Sequence, residues 1–254
     1  MSESGPGLRG RPGTLSGLHH CGLLIAGLLL TGVASGQDTP SHSGSDEPAT
    51  STTIVGTIRL LAENGEAIDD RREFANAVAY FESDQLEPSP PTEQRAYLAT
   101  DRRQFDPRVL IIQAGTEVVF PNEDPILHNV FSSSPGNQFD LGLYGQSPGK
   151  THRFETPGLA RVFCNVHPAM SAHIVIARSP HFTHPDSNGR FRIDNVPAVA
   201  GQLTVWHERS EARQFRIEPG QDLIDLGPID LALTVRQISP QRERIRRPAR
   251  RGRY

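Results

Sequence analysis

The sequence predicts an all-β protein organised as two units between an N-terminal leader and a basic C-terminal arm. Three observations carry that expectation. Apolar residues fall in short runs rather than long segments. Gly and Pro, 23 and 21 of 254 residues, punctuate those runs at turn spacing. No long segment repeats apolar residues at the 3.6-residue period of an amphipathic helix. The hydrophobic share of 36% and a mean hydropathy of −0.43 exclude a polytopic membrane protein.

Residues 1–36 read as a secretory signal peptide. Arg9 and Arg11 precede the apolar run Cys21–Val33, and Ala34-Ser35-Gly36 follows it. The run is shorter than the roughly 20 residues that span a bilayer. A periplasmic or otherwise exported mature protein is expected. Residues 37–52, rich in Ser, Asp, Thr, Gly and Pro, read as a disordered linker.

The first unit is expected over residues 53–178. Its strands are read at Ile54–Leu61, Ala77–Phe81, Arg108–Gln113, Glu117–Phe120, His128–Phe131, His152–Glu155, Leu159–Cys164 and Ala172–Ala177. Asn64-Gly65 and Pro157-Gly158 supply turns between them. The stretch Asp69–Ala77 is left open as a helix, and residues 53–82 are left free to pack with the second unit. That unit, a small β-sandwich, is expected over residues 179–238. Its strands are read at Arg190–Ile193, Gln202–His207, Gln214–Ile217 and Leu223–Leu226, after the turn Pro185-Asp-Ser-Asn-Gly189. Residues 239–254 read as a disordered tail.

The near-neutral total charge of −3 hides an asymmetry. Residues 37–241 hold 17 basic and 27 acidic side chains, whereas residues 242–254 hold seven Arg and one Glu. An acidic body with a basic arm argues against nucleic acid as a partner. It leaves weak docking of the arm to an anionic surface as the functional alternative to a solvated end.

The sulfur count is the sharpest chemical signal. Removal of residues 1–36 takes Met1 and Cys21 away and leaves Cys164 and Met170, so no disulfide can form within one chain. Between them stands His167, in the loop Cys164-x2-His167-x2-Met170. Thiolate, imidazole and thioether together suit copper. A further ligand must come from elsewhere in the chain, and His128 follows a strand and turn at Phe120–His128.

Phe120-Pro-Asn122, Asp124, His128-Asn129 and the Cys164, His167, Met170 loop resemble the cupredoxins over residues 105–178. The spacing from His167 to Met170 is most similar to amicyanin. The resemblance implies a Greek-key β-sandwich and one type 1 copper ion. It implies that Cys164 is the dominant thiolate ligand, His128 and His167 the imidazole ligands and Met170 the long axial ligand. Asn129 would tie the two ligand loops together. The segment Asp186-x2-Gly-Arg-Phe-Arg-Ile-x-Asn-Val-Pro197, with Leu203–Trp206, resembles the carboxypeptidase regulatory-like module. Residues 76–82 carry a weaker likeness to the same module. Tandems of this kind are similar to bacterial methylamine-utilisation-like proteins.

The function expected is a one-electron carrier that exchanges electrons with redox partner proteins. The alternative is a copper-binding module, a copper carrier or scaffold, without an electron-transfer role. An enzyme is not expected. The mature chain has no His-x-His pair for a copper cluster, and no Ser-His-Asp pattern or paired-carboxylate constellation stands out from its background. Zinc suits one Cys and two His, but the thioether of Met170 is a poor zinc ligand. His181 and His184 are left open as a second metal site. His152 and His173 read as surface residues, His207 as a strand-edge residue and Trp206 as core.

Overall fold

The computed structural model describes residues 50–234 other than 88, 91 and 92. The expected leader, most of the linker and the basic tail lie outside the described residues. Among the described residues, seventeen strands carry the fold. They are β1 (Ser51–Leu61), β2 (Ala77–Glu82), β3 (Ala96–Tyr97), β4 (Ala99–Asp101), β5 (Gln104–Asp106), β6 (Val109–Gln113), β7 (Thr116–Asn122), β8 (His128–Ser134) and β9 (Asn137–Tyr144). They continue with β10 (Ser147–Phe154), β11 (Gly158–Phe163), β12 (Ser171–Ala177), β13 (Phe182–Thr183), β14 (Arg190–Pro197), β15 (Gly201–His207), β16 (Arg213–Ile217) and β17 (Leu223–Ala232). The stretch left open as a helix holds a single 3-10 turn, Glu73–Asn76.

Two pairs of sheets make two sandwiches. In the first, the sheet β10-β7-β4-β5, with β3 beside β7, faces the sheet β6-β12-β11-β8-β9. Leu98, Phe105, Val118, Phe120 and Phe154 from one side meet Val130, Ala160, Val162, Ala172 and Ile174 from the other. In the second, the sheet β14-β1-β17 faces the sheet β13-β2-β15-β16. Ile54, Ile58, Leu60, Phe191, Ile193 and Leu231 there pack on Ala79, Phe81, Leu203, Val205 and Ile217.

Strand pairing places β1 and β2 in the second sandwich. β1 is bonded to β14 on one side and runs parallel to β17 on the other, and β2 lies between β13 and β15. The first sandwich is therefore built from residues 96–177, and the second gathers strands from both flanks of it. The first part of the linker segment ends earlier than expected, because Ser51 and Thr52 already pair with Pro197 and Val196. Gly189 shows why the turn before β14 needs glycine. Its φ is +79°, and a Cβ there would stand 2.2 Å from the Ile58 carbonyl oxygen.

The two sandwiches share a third apolar layer. Val109 and Ile111 of β6 and Val175 of β12 pack with Val78, Tyr80, Phe182 and Trp206 of the second sandwich. Their chain neighbours Ile112, Ile174 and Ile176 point the other way, into the first core. Ala77, Ala79 and Phe81 point into the second. Strands buried on both faces lose the apolar/polar alternation, which explains the unbroken runs Val109–Ile112 and Ala77–Phe81.

Candidate metal centre

Four candidate ligands gather at one end of the first sandwich. β8 opens at His128, and β11 ends one residue before Cys164. The loop 164–170 crosses from β11 to β12, and the Met170 N–H donates to the His167 carbonyl at 2.9 Å. That bond folds the loop back, so His167 and Met170 stay near Cys164. His128 is 0% exposed, Cys164 3% and Met170 2%, while His167 is half-buried. Cys164 and Met170 belong to the same apolar cluster.

The donor atoms converge. His128 Nδ1 lies 3.2 Å from His167 Nδ1 and 3.8 Å from Cys164 Sγ. One ligand atom from each of the three lies within 4.8 Å of the others. Two imidazole nitrogens bound to one ion at about 2.0–2.1 Å stand roughly 3–3.5 Å apart at near-tetrahedral angles. The observed separation fits that requirement.

Asp124 settles which nitrogen of His128 is available. Its Oδ2 lies 2.9 Å from His128 Nε2. Burial pushes the Asp124 carboxyl up. The N–H of Arg103, the His128 ring and the N–H of Arg102 outweigh it and hold the group below the usual carboxylate range. The ionised carboxylate accepts the Nε2 proton, which leaves the Nδ1 lone pair pointing at Cys164 and His167. Burial, helped by the charges of His128 and Arg103 and opposed by that of Asp124, lowers the affinity of His167 for a proton. A neutral imidazole is the form that binds metal.

A polar scaffold fixes this end. Asp124 accepts the backbone N–H of Arg102 at 2.8 Å and of Arg103 at 2.9 Å. Both arginines have positive φ, 48° and 59°, as the two-residue hairpin turn between β4 and β5 demands. Asn122 donates to the carbonyls of Ile126 and Tyr144 and accepts the Asp124 N–H, which shapes the loop leading to His128. Asn129 accepts the Asn165 N–H at 3.3 Å, next to Cys164, and donates to Asp140 at 2.7 Å. It thereby connects the strand of His128 to the loop of Cys164.

Other histidines take different places. His184 is exposed, with Nδ1 donating to the Ala77 carbonyl at 2.9 Å. Neither it nor His181 joins a group of three metal-ligating donors among the described residues. His173, read as a surface residue, is half-buried at the layer between sandwiches and meets Trp206 edge-on at 5.6 Å. Trp206 is half-buried in that same layer. His207, read as a strand-edge residue, is 0% exposed, because β15 lies inside its sheet between β2 and β16. Sequence reasoning gave Asp124 no role, although a carboxylate four residues before a candidate ligand in a Pro-rich turn was a usable signal. Asp140 escaped it because β9 went unread.

Solved structures similar to this chain include a cupredoxin, an amicyanin and a copper-containing nitrite reductase. A purple cupredoxin from Nitrosopumilus maritimus is 22% identical, covers 32% of this chain and 99% of its own, and has a TM-score of 0.29. Amicyanin from Paracoccus versutus is 16% identical over 39% of this chain and 97% of its own, at 0.31. A copper-containing nitrite reductase from Thermus scotoductus is 27% identical over 37% of this chain and 24% of its own, at 0.30. No protein-family model matches the chain, and no curated protein sequence does.

Proposed function

We propose that this chain is an exported type 1 copper protein that carries one electron at a time between redox partner proteins. The observation that supports it is the convergence of His128 Nδ1, His167 Nδ1 and Cys164 Sγ beside the buried Met170. Three strong donors and one weak thioether form the ligand set of a blue-copper site. Copper held there supplies a Cu(II)/Cu(I) couple. The chain contributes rigidity: Asp124 orients His128, Asn129 joins the two ligand segments, and the core holds Cys164 and Met170. A site so braced changes little between oxidation states. The electron arrives from a one-electron donor protein and leaves to a one-electron acceptor, with no bond made or broken.

His167 is the ligand nearest solvent, and Val166 beside it is 44% exposed. The test is direct. Cu(II) added to the mature protein is expected to give an intense visible thiolate-to-copper band at one equivalent, lost in Cys164→Ser. A colourless one-to-one complex would sink the reading.

A further inference from the structure

A carboxylate of the second sandwich is buried against the strand that follows the copper loop. Glu208 comes directly after β15, and its side chain is 2% exposed. Arg108, directly before β6, donates from Nε to both carboxylate oxygens, at 2.6 and 2.7 Å. The same guanidinium donates from Nη1 to the Ser171 carbonyl at 3.3 Å. Ser171 opens β12 and is the chain neighbour of Met170. His173, two residues on, donates its N–H to the Arg108 carbonyl at 2.9 Å and holds Nδ1 3.5 Å from the Glu208 carboxylate.

A buried carboxylate persists only beside a well-placed cation. A guanidinium fixes direction as well as charge, because its donors are planar and rigid. The Arg108–Glu208 pair therefore holds the start of β12 in one place relative to the second sandwich. Its position is specific. The exposed pairs Arg59–Asp230, between β1 and β17, and Arg192–Asp194, within β14, stay inside the second sandwich. Arg108–Glu208 spans the two sandwiches at the end of β12 that carries Met170.

We infer that Glu208 is a positioning residue, through which the second sandwich sets the placement of Met170 beside the thiolate and so tunes the reduction potential. The inference rests on the copper reading above. The chain of contacts is Glu208 to Arg108, Arg108 to the Ser171 carbonyl, and Ser171 to Met170. The axial ligand is one of the levers on the potential of such a site.

The experiment uses the full mature chain loaded with one equivalent of copper. Glu208→Gln is compared with Asp230→Asn, a charge loss of the same size at a pair that does not reach the first sandwich. Glu208→Gln is expected to keep one copper per chain and its colour. The intensity ratio of its thiolate-to-copper bands should change, and its reduction potential should rise, since the Arg108 charge is no longer balanced. Asp230→Asn should match the parent in both. In Arg108→Gln/Glu208→Gln the charge-driven rise should cancel while the altered band ratio stays. Should Glu208→Gln fail to fold, Arg108→Lys keeps the charge, loses the planar fork and should change the band ratio alone. An unaltered band ratio in the folded variants overturns the inference, even with a shifted potential, because charge alone would then be acting. A parent chain without a thiolate band overturns the copper reading and this inference with it.

Discussion

Two histidines, one in each sandwich, are both 0% exposed and do opposite things. His207 commits both ring nitrogens to its own surroundings: Nε2 donates to the Glu73 carbonyl at 3.2 Å, and Nδ1 accepts the Arg209 N–H at 3.1 Å. His128 commits only Nε2, to Asp124, and turns Nδ1 toward a thiol and a second imidazole. Burial is the same, but the second nitrogen separates a structural histidine from a candidate ligand. Replacing each by Ala is the strongest way to break the comparison. His207→Ala removes two ring hydrogen bonds and opens a void, and is expected to cost about 2–4 kcal/mol in urea unfolding of the apo-protein. Its copper band should survive wherever the protein is folded. His128→Ala should abolish that band. A His207→Ala variant that loses colour while folded would erase the distinction.

The same contrast shows what a sequence can reveal. Cys164, His167 and Met170 were legible because their spacing is local and a short loop can gather them only in a few ways. His128 was legible because a histidine after a turn-rich segment could supply what that loop lacks. Asp124 was signalled only by its place four residues before His128, and Asp140 and Glu208 were not legible, because their partners are brought near by strand pairing. Fold class was legible from short runs and turns, but the membership of β1 and β2 was not. Their apolar residues suit any sheet, and pairing with β14, β15 and β17 involves residues more than a hundred positions away. β9 was missed because Asn137–Tyr144 is half-exposed, with Asp and Gly among its residues.

Asp124 sharpens the comparison, since its contact with Nε2 turns His128 Nδ1 toward Cys164 and His167. Asp124→Asn removes a negative charge and one acceptor oxygen, while the N–H groups of Arg102 and Arg103 and the His128 ring still need partners. A loss of about 1–3 kcal/mol in the apo-protein is expected. The copper-loaded variant should keep its colour and show a raised reduction potential, because the lost charge favoured the more positive ion. Voltammetry showing a lower potential would contradict this electrostatic account.

Acid tests the histidines away from the candidate ligands. Burial pushes His184 and His207 below the ordinary imidazole range, against backbone hydrogen bonds to Ala77 and Glu73 that pull the other way. Burial does the same to His152 of the first sandwich, stacked on Phe139 at 4.5 Å. A depressed folded-state value means that the unfolded chain takes up protons first. The stability from these groups is complete above about pH 6.5 and is lost as pH falls through the folded-state values. Urea midpoints of the apo-protein should therefore drop between about pH 7 and pH 5. His184→Gln should flatten that slope, and a slope unchanged by the substitution would remove His184 from the account.

The smallest effect concerns the turn that holds Asp124. Arg102 and Arg103 occupy left-handed backbone conformations that Asn and Gly adopt with less strain. Their contribution to Asp124 comes from backbone N–H groups, which any non-proline residue supplies. Arg102→Asn/Arg103→Gly should therefore relieve strain and keep both bonds, stabilising the apo-protein by about 1 kcal/mol. Colour and copper stoichiometry should not change. The potential should fall slightly, because the Arg103 charge acts on His167 and its removal favours the more positive ion. A destabilised variant would show that the arginine side chains hold the hairpin, and that Asp124 is braced by more than the backbone of its turn.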